Sequence, residues 1–158
     1  MNVSIKKGLS YGTTSGVITS LGLLIGLYSS DSSRVVIVAG LLTIAFADAL
    51  SDGLGMHISE ESENHKTVRE IWEATISTVV AKMVLGLSFV VAVLILPLPV
   101  AIVVDVIYGL LSLALLSYKI ARQNGEKARV VLIEHVGLAI FVILGSYIIG
   151  NLINLYFK

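Results

Sequence analysis

The stretch VLGLSFVVAVLILPLPVAIVVDVIYGLLSLALL, residues 84–116, decides how this chain is read. It holds one charged residue, Asp105, and is broken only by Pro97-Leu98-Pro99. A helix that crosses a bilayer needs about 20 mostly apolar residues. The apolar run extends on both sides of the prolines, which gives two such helices, over about 74–96 and 100–118. Proline lacks the backbone N–H and clashes with the preceding turn, so the pair ends one helix and sets a tight connection to the next. The expected unit is an antiparallel helical hairpin.

Three more apolar segments lie outside it, at about 9–28, 35–55 and 130–157. Five spans use up most of the 158 residues, which form a single membrane domain with a short acidic connector at 57–73. Composition agrees with this. Apolar residues make up 56%, charged residues only 14%, and mean hydropathy is +0.92. A soluble domain of this size carries about 25% charged residues to face water on all sides. Disorder is excluded by the high hydrophobicity. The 11 basic and 11 acidic residues cancel, so no basic field exists for nucleic acid. Cysteine is absent, which removes disulfides, thiolate metal sites and cysteine nucleophiles. No Ser/His/Asp order, His-rich zinc spacing or phosphate loop appears, so no enzyme is expected and no cofactor is required. The first span is flanked by Lys6 and Lys7, but it is long and rich in Gly, Ser and Thr. It lacks a small-residue cleavage site and reads as a retained helix.

Charge placement predicts orientation. Lys6, Lys7, Lys66, Arg69, Lys119, Arg122, Lys127 and Arg129 all fall on one side of a five-span chain, with only Arg34 and Lys158 opposite. By the positive-inside rule the N-terminus is cytoplasmic and the C-terminus outside. The expected protein is therefore an all-α, multi-pass integral membrane protein with five transmembrane helices. Its compactness and lack of targeting signals point to a prokaryotic cell membrane. No internal repeat marks an inverted-repeat transporter.

Ionisable residues at membrane depth are costly and mark functional candidates. Asp48 and Asp52 are one helical turn apart on one face. Met56 continues that stripe, Ser51, Gly55 and Ser59 border it, and Glu60 and Glu63 extend it toward the connector. The candidate metal ligands are Asp48, Asp52, Met56, Glu60 and Glu63. Carboxylates supply hard oxygens, and a thioether adds the softness that favours a transition metal over Mg²⁺ or Ca²⁺. Two nearby carboxylates also repel, which suits exchange of a proton for a cation. The structural alternative has the aspartates pairing with Lys82 or capping a broken helix near Gly53, with Met56 an ordinary core residue. Glu60, Glu61, Glu63, Glu70 and Glu73 give the connector an acidic patch, either a cation attractor or a solvated link. His57 and His65 within it are weaker ligand candidates. Asp105 reads as a helix cap after Pro99, Glu134 and His135 as interfacial groups, and Lys82 as a snorkelling side chain or a counter-ion for Asp52 or Glu134. In the first span Gly8, Gly12 and Gly16 repeat every four residues, as do Gly22 and Gly26, which allows close helix packing, dimerisation or a polar path.

The order of these features resembles the vacuolar iron transporter family. Gly8-Leu9-Ser10-Tyr11-Gly12-Thr13-Thr14 resembles that family's first-helix pattern G-x-x-D-G-L-x-T. Ala47-Asp48-Ala49-Leu50-Ser51-Asp52-Gly53-Leu54-Gly55-Met56, preceded by Ala39-Gly40-Leu41, resembles its A-G-L…A-G-A-L-S-M-A-x-G-E segment. Leu96-Pro97-Leu98-Pro99 resembles its I-P-L-L-P turn, and Gly145-Ser146-Tyr147-Ile148-Ile149-Gly150 its final-helix T-Y-x-I-G. The resemblance implies export of Fe²⁺, and sometimes Mn²⁺, from the cytoplasm in exchange for protons. It also implies a homodimer whose path is lined by acidic and Met side chains of the first two helices. Tyr11 stands where the family has an aspartate, Asp52 where it has methionine and Met56 where it has glutamate. Asp48 is an added acid, and 57–73 is too short for the family's cytoplasmic metal-gathering module. The expected path residues are Asp48, Asp52, Ser51 and Tyr11, and the expected partners are a metal ion, the lipid bilayer and a second copy of the chain. A non-transporting membrane scaffold or assembly protein is the alternative expectation.

Overall fold

The computed structural model describes residues 2–63 and 65–157. Five helices follow one another: α1 (Val3–Ser29), α2 (Arg34–Glu61), α3 (Val68–Ile95), α4 (Leu98–Asn124) and α5 (Ala128–Phe157). By length and composition α2, α3, α4 and α5 can each cross a bilayer, which makes the chain a multi-pass membrane protein. The remaining helix, α1, has 27 residues and spans about 40 Å. Glycine, serine and threonine dilute its apolar content.

Local chemistry sets the boundaries. Ser33 caps α2 by accepting from the Val36 N–H. Thr67 and Glu70 form a capping box at the start of α3, each side chain accepting the other's backbone N–H. Pro97 precedes α4, and Pro99 lies in its first turn, where a missing N–H costs nothing. Gly125 ends α4 at φ 72°, a left-handed conformation that suits glycine. The segment 57–73 is mostly helical: α2 runs to Glu61 and α3 begins at Val68. Glu60, Glu61, Glu70 and Glu73 thus lie on extensions of the two long helices beyond their apolar stretches, and Glu63 lies in the turn between them.

Both α1 and α3 lie at the centre. Most of α3's contact is with α1 and α2, and its contact with α4 across the proline turn is slighter. Glycine spacing explains the close approach of α1. A Cβ on Gly8 would lie 2.8 Å from Ser77 Cβ, one on Gly12 would collide with the Thr78 carbonyl oxygen, and one on Gly16 would lie 3.3 Å from the Lys82 carbonyl oxygen. The repeat at Gly8, Gly12 and Gly16 is therefore a packing seam against α3, of the small-residue kind that lets helix backbones approach in lipid. Gly26 meets Gly150 of α5 at the other end in the same way. The apolar core comprises Val17, Leu21, Leu24, Ile37, Leu41, Phe89, Val93 and Leu113, all fully buried. Outward faces are apolar too, with Phe46, Leu115 and Phe141 well exposed, as expected where lipid replaces water.

One end of the bundle gathers the basic residues. Lys7 of α1 and Lys66 both pair with Glu63 near the α2–α3 turn, and Lys6 shares a groove with Lys119 of α4. At the opposite end Arg34 donates to the Leu96 carbonyl oxygen at 3.0 Å, satisfying the exposed C-terminus of α3.

Candidate functional site

Lys82 lies at the midpoint of α3 and is 2% exposed. Its Nζ is 2.5 Å from Asp48 Oδ2 and 2.5 Å from Asp52 Oδ2. The one-turn spacing on α2 places both carboxylates against a single ammonium. Ser15 of α1 completes the group, accepting from Lys82 Nζ at 2.8 Å and donating to Asp52 Oδ2 at 2.6 Å. Gly16 and Gly53 allow this closeness: a side chain on Gly16 would press on Lys82, and one on Gly53 would strike Val79. Asp48 retains 30% side-chain exposure and lines a groove with Leu23, Leu27, Val36 and Gly40, so the cluster opens on one flank between α1 and α2.

Two carboxylates facing one ammonium leave a formal charge of −1. A charge at this depth is costly unless it is paired and hydrogen-bonded. The cluster can therefore accept one more positive charge, a proton or a cation, and become neutral. That capacity, at mid-helix and beside a groove, is its chemically useful property.

A second cluster occupies the basic end. Glu60 is fully buried and ion-paired with Lys7, and its other oxygen lies 3.4 Å from Lys66 Nζ. Glu63 lies 3.0 Å from Lys7 and 3.7 Å from Lys66. These contacts clasp the start of α1 to the end of α2. Asn2 and Arg69 both bind Glu73 nearby, Arg69 at 2.8 Å. Hydrogen bonds from Lys7 to Glu60 and then Glu63 raise the Lys7 pKa, while the Lys7 bond lowers that of Glu63. Glu70 is lowered by the Thr67 N–H and hydroxyl of its capping box.

The pH dependence follows in sign. A lowered glutamate stabilises the fold above its ordinary value, and that contribution is lost as pH falls through the folded value. A raised lysine contributes below its ordinary value and loses the contribution only at strongly alkaline pH. The clasp is thus complete at neutral pH and loosens below about 4.5, the ordinary glutamate value. Amide hydrogen exchange over residues 3–10, corrected for intrinsic rates, should accelerate on acidification, and Glu63→Gln should show the faster exchange already at neutral pH. Equal exchange in both proteins at pH 7 would mean that Glu63 does not hold α1 and that the clasp is the Lys7–Glu60 pair alone.

The sequence-predicted residues divide between these clusters. Asp48 and Asp52 come together on Lys82, and Glu60 and Glu63 meet at the end of the bundle. Met56 lies between them on α2, 7% exposed. Ser51 is exposed and Tyr11 is 46% exposed, so neither points into the Lys82 cluster. Among the described residues no three His, Asp or Glu side chains converge as a metal site. The expected single ladder of ligands is two separate ion-pair clusters. The pairing with Lys82 weighed as the structural alternative is present, with Lys82 between both aspartates.

Three partners were not legible in the sequence as such. Ser15 is one hydroxyl among many on α1. Lys7 reads as a flank of the first span, yet holds Glu60. His135 binds Ser117 of α4 at 2.8 Å, an inter-helix contact that nothing in its spacing announces. His57 binds Thr75 Oγ1 at 3.1 Å and packs edge-on to Trp72, which ties α2 to α3. Asp105 is two turns into α4, so it does not cap the helix. Pro97 takes the capping position, and Asp105 is buried. No family model matches this chain, and no curated protein matches it.

Proposed function

We propose that this protein is a secondary transporter that exchanges a divalent transition metal, Fe²⁺ or Mn²⁺, for protons across the membrane, moving the metal out of the cytoplasm. All five helices span, and the basic end of the bundle faces the cytoplasm. The observation that carries this reading is the Lys82 ammonium seated between Asp48 and Asp52.

That ammonium occupies the place a cargo cation would take. With Lys82 charged and one added proton, the two carboxylates are neutralised. With a divalent ion bound and Lys82 uncharged, they are neutralised again. The site alternates between these two neutral states by trading one M²⁺ for two protons, one from the carboxylate pair and one from lysine, so neither state leaves net charge in the hydrocarbon. Met56, one turn from Asp52 toward the basic end, lies on the approach and supplies a soft ligand for a transition metal. Glu60 and Glu63 form the cytoplasmic mouth, held closed by Lys7 and Lys66. The resemblance to the vacuolar iron transporter family points to the same cargo and to a homodimer.

The test is flux. Proteoliposomes containing a metal-quenched dye should take up Fe²⁺ under an imposed pH gradient, with two protons moving per ion. Asp48→Asn/Asp52→Asn protein that folds and still transports at the native rate would end the proposal.

The same cluster favours a second reading. A lysine satisfied by two aspartates and a serine is also a structural lock, and the chain would then be a membrane scaffold or assembly protein. In that case no flux appears under any gradient, and Lys82→Ala destabilises the protein about as much as loss of an aspartate does.

A further inference from the structure

Away from both clusters, α4 buries a carboxyl that the proposed exchange does not use. Asp105 is 2% exposed, and its Oδ2 makes no hydrogen bond with any described residue. It lies about 10 Å along α4 from Leu98, on the half of the bundle opposite the basic end. It lines a groove of about 490 Å³ between α3 and α4, together with Ser88, Ala92, Leu96 and Tyr108. Ser88 Oγ donates to the Leu85 carbonyl oxygen at 2.5 Å, so in its 2.9 Å contact with Tyr108 the phenol is the donor. The Tyr108 oxygen is left with its lone pairs, one turn along α4 from Asp105.

Among the described residues no cation is available to pair with this carboxyl. On α3, Lys82 is held by Asp48 and Asp52, and no other charged residue follows before Leu96. From Gly8 to Tyr28, α1 has no charged residue, and its titratable groups are Tyr11 and Tyr28. Beyond His135, α5 offers only Tyr147 and Tyr156 among described residues. Arg34 of α2 is engaged by the Leu94 and Leu96 carbonyl oxygens, and Asp31 in the α1–α2 turn is an acid.

We infer that Asp105 is a proton-binding site, entered through the α3–α4 groove from the end of the bundle that carries the proline turn. One carboxyl in a groove that also holds the Ser88 and Tyr108 hydroxyls fits a proton. It offers too few charges for a divalent ion, which would need at least a second carboxylate to be neutralised in an apolar site. The site stands on its own geometry. Its use as the proton entry of an exchanger rests on the proposed function.

The test is chemical. Dicyclohexylcarbodiimide, an apolar reagent, adds a protonated carboxyl across a C=N bond. The acid proton goes to nitrogen and the carboxyl oxygen to carbon, and acyl migration then leaves a stable N-acylurea. Purified protein in detergent, labelled at pH values from 5 to 9 and mapped by mass spectrometry, should carry the adduct on the peptide containing Asp105. Labelling should fall at least tenfold as pH rises across that range. Asp105→Asn should lose that adduct, Asp105→Glu should retain it, and Asp48→Asn/Asp52→Asn should label at Asp105 as the native protein does. Absence of the adduct at every pH, or labelling that ignores pH, overturns the site. Flux measurements separate the two proposals: labelling without any metal flux upholds the proton site while ending the transport reading.

Discussion

Gly12→Ala should destabilise this protein by about 2 kcal/mol or more, whereas Gly55→Ala should leave it unchanged or stabilise it by up to about 1 kcal/mol. Both glycines lie inside long helices, where alanine is intrinsically the better residue because it loses less backbone freedom. The difference lies in what the new methyl meets. At Gly12 it would collide with the Thr78 carbonyl oxygen and lie 3.1 Å from Ala81 Cβ. Neither is the end of a flexible side chain, so α1 must move away from α3. At Gly55 nothing lies within 4 Å. Displacing α1 also removes Ser15 from Asp52 and Lys82, so the loss extends beyond local crowding. Thermal unfolding in one detergent, followed by circular dichroism, gives both signs in one series. Gly12→Leu should go further and abolish the monodisperse folded species. A Gly12→Ala protein as stable as the native chain would mean that α1 does not pack on α3 through this seam.

The helices themselves were the most legible part of the chain. Long apolar runs broken by Pro97-Leu98-Pro99 or by polar turns leave little choice, because backbone groups in lipid must be satisfied within the helix. Boundaries were less legible: helices continue past the apolar run wherever good helix formers and caps follow, as at Glu60–Glu61 and at Thr67–Glu70. The stripe Asp48–Asp52–Met56 is real as a helix face. Lys82 is one of the partners the sequence offers for it, but the choice among them could not be made from spacing along α2, because the answer lies on α3. Lys82 is far away in sequence, and its partner depends on the rotation of α3 set by Gly12 and Gly16 of α1. The burial of Asp105 was hidden for a related reason. Two turns from a proline, an acid reads as a cap, and only the packing of α4 on the rest of the bundle shows that it is enclosed.

Lys82→Met should cost about 3–5 kcal/mol, the order expected when one member of a buried ion pair is removed and charge is left unpaired. Methionine matches the length of the lysine stem, so the loss is of charge and of three hydrogen-bonding groups more than of volume. Asp48 and Asp52 would then face each other across one helical turn with only the Ser15 hydroxyl beside them. Adding Asp48→Asn and Asp52→Asn to Lys82→Met should restore most of the stability, since no uncompensated charge remains in the hydrocarbon. The triple variant is therefore more stable than Lys82→Met although it carries more substitutions, a strongly non-additive result that identifies the three residues as one unit. It also separates the two functional readings. A scaffold needs the lock only for its fold, so the triple variant should support assembly as the native chain does. An exchanger needs the charges themselves, so the same well-folded triple variant should carry no Fe²⁺ under a pH gradient that drives native flux. Unfolding measured beside flux on one preparation distinguishes the outcomes. If Lys82→Met proves as stable as the native protein, the ammonium is not seated between the two aspartates, and the charge-trading mechanism built on that placement fails with it.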